Sequence, residues 1–202
     1  MADVKRPIVL ATLNPGKVRE LGRLLGDLRI TLLSLREIAG ASLPPETGAT
    51  YVENALIKAR AAVAHTGLPS VADDSGLAVD ALNGMPGVFS ARWSGRHGDD
   101  KANLELVLAQ VVDVPDPLRG AAFVAAAALV LPDGREWTVE GEMRGRLVRA
   151  PRGSGGFGYD PIFVAAGQTR TNAELSPAEK DAISHRGKAF RALASLMTTV
   201  SV

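Results

Sequence analysis

The spacing of apolar and polar positions changes several times along the chain, and each change marks an element. Residues 7–12 form a short apolar run that reads as a buried strand. Asn14-Pro15-Gly16 breaks the run and opens a helix. Val18, Leu21, Leu24, Leu25 and Leu28 supply that helix's apolar face at 3.6-residue spacing. Residues 30–33 read as a second strand, and Pro44-Pro45-Glu46-Thr47-Gly48 as a loop. Thr50 and Glu53 then have the Thr-x-x-Glu spacing of a capping box. Behind it Val52, Ala55, Leu56, Ala59, Ala62 and Val63 line one helix face, with Glu53, Lys58 and Arg60 outside that stripe. This helix is expected to end near Gly67.

Further on, Pro69-Ser70-Val71-Ala72 is apolar and runs directly into Asp73-Asp74-Ser75-Gly76. Val71-Ala72 reads as the end of a buried strand and Ser75-Gly76 as a turn. Residues 77–98, rich in glycine and turn formers, read as a long structured loop. Leu104, Val107, Leu108 and Val111 then define a helix face. Residues 120–131 are apolar at odd and even positions alike, the pattern of a strand buried on both faces. After the Pro132-Asp133-Gly134 turn the next segment alternates. Trp137, Val139, Met143 and Leu147 stand against Thr138, Glu140, Glu142, Arg144 and Arg146, so one face should be wet. The two segments form a long antiparallel hairpin. With the βα units before it, the hairpin predicts an α/β fold built on a mixed sheet. A glycine-rich loop, residues 153–158, leads into Tyr159-Asp160-Pro161-Ile162-Phe163. Ser176-Pro177-Ala178-Glu179 combines an N-cap, a proline at the first helical position and a capping-box Glu. The last helix begins near Ser184 and packs Phe190, Leu193, Ala194 and Met197.

Composition narrows the functional classes. The chain has 202 residues, which suits one domain, in two lobes at most. A net charge of +1 gives no general basis for binding a nucleic-acid polymer or a membrane surface. There is no cysteine, so disulfides, thiolate nucleophiles and cysteine-based zinc sites are excluded. Only His65, His97 and His185 are present, too scattered for a histidine-rich metal site. The first seven residues carry charges of both signs, unlike a signal peptide. The longest uncharged run, residues 120–132, is shorter than the roughly 20 apolar residues of a membrane span. A cytoplasmic protein is therefore the expectation.

Four constellations could carry chemistry. The first is Thr12-Leu13-Asn14-Pro15-Gly16-Lys17, between a strand and a helix. Free N–H groups and a lysine on the first helical turn favour phosphate. It is not a Walker A loop, because Ala11 and Val18 stand where that motif needs Gly and Ser or Thr. The alternative is a plain turn with a solvated lysine. The second is the carboxylate set Glu46, Asp73 and Asp74, suited to Mg²⁺ or to general-base work, or simply to turn formation. Lys58 could face the same place from its helix. The third is Gly155-Gly156-Phe157-Gly158-Tyr159-Asp160-Pro161, where an aromatic ring could stack on a base; three departures count against an RNA-recognition strand. The fourth is Lys180 with His185-Arg186, a basic pair of helix ends. Together these are the parts of an enzyme that hydrolyses nucleotide phosphates. A nucleotide-sensing protein without catalysis remains the alternative from another class, against which the Asp-Asp pair counts.

Seven segments, in order, resemble one known family. They are Thr12-x-Asn14-x-x-Lys17; Glu46-Thr47-Gly48; Glu53-Asn54-Ala55 with Lys58-Ala59; Ala72-Asp73-Asp74-Ser75-Gly76-Leu77; Pro86-Gly87 with Ser90-Ala91-Arg92; Gly156-Phe157-Gly158-Tyr159-Asp160-Pro161; and Ser184-His185-Arg186. In these the chain is similar to the inosine triphosphate pyrophosphatases, or XTP/dITP diphosphatases. The resemblance implies one two-lobed domain over residues 1–202 with the active site in the interlobe cleft, and a homodimer. It implies Mg²⁺-dependent hydrolysis of ITP, dITP and XTP to the monophosphate and pyrophosphate, which cleanses the nucleotide pool. It makes Asp74 the general base, and Glu46 with Asp74 the metal ligands. The triphosphate would fall to the Thr12–Lys17 turn, meaning Thr12, Leu13, Asn14, Pro15, Gly16 and Lys17, and to Ser75, with charge from Lys58 and Lys180. Phe157 would stack on the purine, the Gly158-Tyr159-Asp160 backbone would line the pocket, and His185-Arg186 would meet the base edge. A related pyrophosphatase acting on modified pyrimidines is the nearest alternative.

Overall fold

A computed structural model describes residues 6–26 and 30–200. The strands are β1 (Arg6–Leu10), β2 (Ile30–Ser34), β3 (Ser70–Val79), β4 (Gly120–Val130), β5 (Glu136–Leu147) and β6 (Phe163–Ala165). The helices are α1 (Pro15–Leu24), α2 (Tyr51–Thr66), α3 (Asp100–Gln110), α4 (Pro177–Ile183) and α5 (His185–Thr199). The strands form one sheet in the order β2-β1-β3-β4-β5-β6. β1 is parallel to β2 and to β3, whereas β5 and β6 are antiparallel, so the sheet is mixed as expected. β4 and β5 are neighbours joined by five residues, a connection that only an antiparallel pair can make. Among the described residues no helix is long and apolar enough to cross a membrane.

The local signals act where the sequence placed them. Thr50 Oγ1 accepts from Glu53 N at 3.1 Å, and Glu53 Oε2 accepts from Thr50 N at 3.2 Å, closing the capping box of α2. Gly67 ends α2 in the left-handed conformation, φ 67°, which costs glycine nothing. Ser176 and Glu179 cap α4 in the same reciprocal way, with Pro177 at its first position. β5 alternates as the pattern predicts: Met143 and Leu147 are buried and Glu140, Glu142, Arg144 and Arg146 are exposed. Leu28, one of the five apolar positions assigned to α1, lies outside the described residues.

One expectation is corrected. Ser75-Gly76 is not a turn: β3 continues through it to Val79, into the segment read as loop. The two aspartates therefore lie inside the strand and not at its mouth. Leu77 and Val79 are fully buried. Ser90 Oγ accepts from Leu77 N at 2.9 Å, and Met85 O accepts from Val79 N at 3.0 Å. Period-two burial outweighs the turn preference of Ser-Gly.

The chain divides into two compact units. The first is Met1–Asp74, Ala125–Glu140 and Arg186–Val202; the second is Ser75–Val124 and Gly141–His185. In the first, Ile8, Leu10, Val71, Ala127 and Leu129 pack with Leu21 of α1 and with Phe190 and Leu193 of α5. Val9, Ala11, Ala72, Ala128 and Val130 pack with Ala55, Ala59 and Ala62 of α2. Alternation along β1 and β3 thus feeds two separate apolar layers. In the second unit Leu77, Val79, Phe123, Met143, Leu147 and Phe163 gather with Leu104 and Val107 of α3.

Candidate active site

β3 presents Asp73 and Asp74 within the first unit, both almost wholly buried. Buried charges need partners, and the two carboxylates take different ones. Asp73 Oδ2 lies 2.9 Å from Lys17 Nζ and 3.0 Å from Arg186 Nε. Arg186 Nη1 reaches Glu20 Oε2 at 2.7 Å, so the guanidinium joins two carboxylates from distant parts of the sequence. Asp74 faces α2: its Oδ1 is 3.1 Å from Lys58 Nζ and its Oδ2 accepts from Asn54 Nδ2 at 3.1 Å. Lys58 Nζ is also 2.6 Å from Glu46 Oε1. Asn54 Oδ1 in turn accepts from Gly48 N at 2.8 Å, which ties the Glu46 loop to the helix.

The electrostatics of the pair diverge. Burial opposes ionisation of Asp73, but Lys17, Arg186 and Lys58 outweigh it and hold the carboxyl well below the usual carboxylate range. Burial pushes Asp74 upward, against the pull of Lys58 and Lys17 and with the repulsion of Glu46, and the net direction is up. Burial lowers Lys58, but Asp74, Asp73 and Glu46 more than restore it, so the ammonium is held charged. A carboxylate whose proton affinity is raised in a site rich in cations is suited to receive a proton from water.

Two N–H groups of the Thr12–Lys17 turn are engaged by the turn's own Asn14 side chain. Asn14 Oδ1 accepts from Gly16 N at 2.8 Å and Lys17 N at 3.3 Å, capping α1. Thr12 Oγ1 accepts from Asn14 N at 3.2 Å. Leu13, Asn14 and Pro15 are exposed, and Gly16 is half-buried. Lys17 is not a solvated side chain, since it is drawn onto Asp73.

Whether a divalent metal suits the site can be tested on the donors. Among the described residues no group of three or more acidic or imidazole side chains is poised around one point. Glu46 and Asp74 nevertheless both face the position that the Lys58 ammonium holds, at 2.6 and 3.1 Å. Mg²⁺ commonly takes only one or two carboxylates, the rest of its shell being water and substrate phosphate. Two hard oxygen donors directed at one cation fit that requirement.

In the second unit the glycine-rich loop folds on a different carboxylate. Asp160 is buried; its Oδ2 accepts from Phe157 N at 2.9 Å and meets Lys180 Nζ at 2.5 Å, while Oδ1 accepts from Asn172 Nδ2 at 3.2 Å. Gly156, at φ 71°, leaves room for this: a Cβ there would fall 2.1 Å from Asp160 Oδ2. Lys180 Nζ stands 5.1 Å from the Phe157 ring centre, within cation–π range. Gly158 N donates to Asp100 Oδ2 at 2.8 Å. The Tyr159 ring is buried, and its hydroxyl donates to Ser90 O at 2.8 Å, so that side chain props the neighbouring segment. His185 is buried and stacks on Phe123, with centroids 4.9 Å apart and planes 13° apart.

Of the candidate site residues, the first unit brings together Lys17, Glu46, Lys58, Asp74 and Arg186, and the second Phe157, Asp160 and Lys180. Ser75, next along β3, is half-buried and belongs to the second unit. His185 and Arg186, read as a pair, fall to different units. Asn54, Glu20 and Asn172 were not singled out as site residues. The signal for Asn54 was its place four residues before Lys58, on the same face of α2.

Comparison with known proteins agrees with this arrangement of motifs. The Ham1 family profile matches residues 8–196. A dITP/XTP pyrophosphatase of Mycobacteroides abscessus is 59% identical over 193 residues, covering 94% of each chain. The crystal structure of a nucleoside-triphosphatase, or dITP/XTP pyrophosphatase, from Mycobacterium abscessus superposes with a TM-score of 0.76 at 60% identity, over 93% of this chain and 98% of that one. A HAM1 protein from Coxiella burnetii gives a TM-score of 0.87 at 44% identity, over 96% of this chain and 99% of that one. With its profile matched almost end to end and its mixed sheet shared with these relatives, the chain belongs to the Ham1 family.

Proposed function

We propose that this protein hydrolyses deaminated purine nucleoside triphosphates, ITP, dITP and XTP, between the α and β phosphates, and that it thereby cleanses the nucleotide pool. The observation that carries the reading is Asp74, buried on β3 with its proton affinity raised, beside Lys58 and Glu46. The names and high identity of its relatives point the same way.

In this reading Asp74 takes a proton from the attacking water as the new oxygen–phosphorus bond forms. The bridging α–β bond breaks, and pyrophosphate leaves. Asn54 holds the carboxylate in place for that transfer. Glu46 and Asp74 would hold Mg²⁺, which when bound neutralises phosphate charge and orients the chain for in-line attack. Lys58, with three N–H donors, turns from Glu46 and Asp74 toward phosphate oxygens. Lys17, Ser75 and the Thr12–Lys17 turn bind the rest of the triphosphate.

Phe157 stacks on the purine, and Lys180, held close to that ring by Asp160, supplies a donor to the 6-oxo group. A 6-oxo group accepts a hydrogen bond, whereas adenine's 6-amino group donates and leaves the site's donor unpaired. Such a mismatch can cost ~10⁴-fold. Arg186 joins Asp73 and Glu20 and acts by fixing the carboxylate frame. The whole chain works as one domain, as a cytoplasmic homodimer.

A nucleotide panel with Mg²⁺, scored for pyrophosphate and orthophosphate, tests the reading. ITP, dITP and XTP should yield pyrophosphate much faster than ATP. Orthophosphate as the product, or ATP or a modified UTP as the preferred substrate, would overturn it. Light scattering that gives a monomer mass would remove the homodimer.

A further inference from the structure

Tyr51 opens α2 one turn before Asn54, and Asn54 lies one turn before Lys58. The spacings of three and four residues put all three on one face of the helix, the face whose Asn54 and Lys58 side chains reach Asp74. Tyr51 as a residue is half-buried, yet its hydroxyl oxygen is removed from solvent and has no hydrogen-bond partner among the described residues. A buried hydroxyl left in that state is destabilising, because it has lost water and gained no partner. Burial raises the phenol's pKa first, and the Asp74 charge raises it further. Both keep the hydroxyl protonated at neutral pH, as a donor in need of an acceptor.

We infer that the Tyr51 hydroxyl is a substrate-binding donor, hydrogen-bonding a phosphate oxygen of the nucleotide beside Asp74. The inference rests on the function proposed above. Other buried groups of this kind point less clearly to a ligand. Asn172 Oδ1 is also buried without a partner, but its amide nitrogen is already engaged in fixing Asp160. Tyr51 has only the hydroxyl. Phosphate oxygens are the acceptors that the proposed substrate brings to Asp74. An acceptor that arrives with the ligand relieves a cost present in the free protein, so the contact favours the bound state specifically.

The test is Tyr51→Phe, which removes one oxygen and keeps the ring. Inorganic triphosphate with Mg²⁺ serves as the binding probe, measured by calorimetry, because it carries no base. Affinity should fall about 10- to 150-fold, in line with the loss of one hydrogen bond to a charged group. The melting temperature of the ligand-free variant should be unchanged or higher. Steady-state kinetics on ITP should show a lower kcat/KM of similar size. Unchanged triphosphate affinity would overturn the inference and leave the hydroxyl to packing or to a resident water. A lowered melting temperature with unchanged affinity would overturn it in favour of a structural role. Failure of the parent reading looks different: wild-type protein would then release orthophosphate or prefer another nucleotide, whatever Tyr51→Phe does to triphosphate binding.

Discussion

Asp73 and Asp74 are consecutive in β3, and the strand turns them to opposite partners: Asp73 to Lys17 and Arg186, Asp74 to Lys58 and Asn54. Successive side chains in a strand point to opposite faces, so one dipeptide serves two purposes. Asp73 is matched by two cations and is the anchor. Asp74 shares its lysine with Glu46 and is the carboxylate held less comfortably ionised.

Substitution should separate them. Asp73→Asn leaves Lys17 and part of the Arg186 charge buried without compensation, which costs ~3–5 kcal/mol. For a chain of this size that is a loss of roughly 6–20 °C in melting temperature. Asp74→Asn should alter stability by no more than about 1 kcal/mol, because Lys58 keeps Glu46 and the desolvation of a charge is removed. Turnover of ITP should fall by ~10²–10⁴ with Asp74→Asn, with nucleotide binding largely intact. Thermal melts beside a pyrophosphate assay check both; near-wild-type kcat in Asp74→Asn would reject the general-base role.

The pH dependence of stability should divide the same way when measured with a chelator present. Asp73 has a depressed folded pKa, so its contribution is present above the ordinary carboxylate value and is lost as pH falls through the folded value. Asp74 has a raised folded pKa, so its contribution is present below the ordinary value and is lost as pH rises through the folded one. Asp73→Asn should therefore flatten the acid-side fall in stability. Asp74→Asn should flatten the loss seen on raising pH from about 4 toward neutrality. Denaturant melts across pH 2–8 give both slopes, and identical slopes for the two variants would contradict the assignment.

What was legible in the sequence was local. The capping boxes, the Gly67 stop, the two-face burial of β4 and the alternation of β5 each depend on neighbours a few residues away. The carboxylate pair was visible as a pair. What Asp73 does was not, because Lys17 and Arg186 lie 56 and 113 positions from it. The same distance problem made His185-Arg186 look like one basic device, although His185 stacks on Phe123 and Arg186 joins Asp73 and Glu20. Ser75-Gly76 misled for the opposite reason: a local turn preference was read, and the burial of Leu77 and Val79 that overrides it is tertiary.

The link from Gly48 to Asn54 should be sensitive to a single methyl group. A Cβ at residue 48 would fall 2.6 Å from Glu53 Cβ and 2.8 Å from Asn54 Oδ1, so the loop or the helix start must move. That loop carries Glu46, and Asn54 holds Asp74. Gly48→Ala should cost ~1–3 kcal/mol through overpacking. It should also lower kcat by up to ~10²-fold, the scale of a 1 Å misplacement of reacting groups. Wild-type kcat in this variant would show that Glu46 and Asp74 tolerate displacement.

The Phe157 loop offers a test of where the base goes that does not depend on the chemical step. Phe157 N is fixed by Asp160, and Lys180 lies between that carboxylate and the ring, so removing the ring should leave the loop's backbone anchor in place. The loss then reports stacking. Base–aromatic stacking is worth about 1–3 kcal/mol, so Phe157→Ala should weaken binding of ITP to Asp74→Asn protein by roughly 5- to 150-fold, the Asp74 substitution serving to prevent turnover. Pyrophosphate has no base, and its affinity should not change. Calorimetry with the two ligands makes the comparison. Equal losses for both would mean that Phe157 shapes the site as a whole, and an unchanged ITP affinity would move the purine away from this ring.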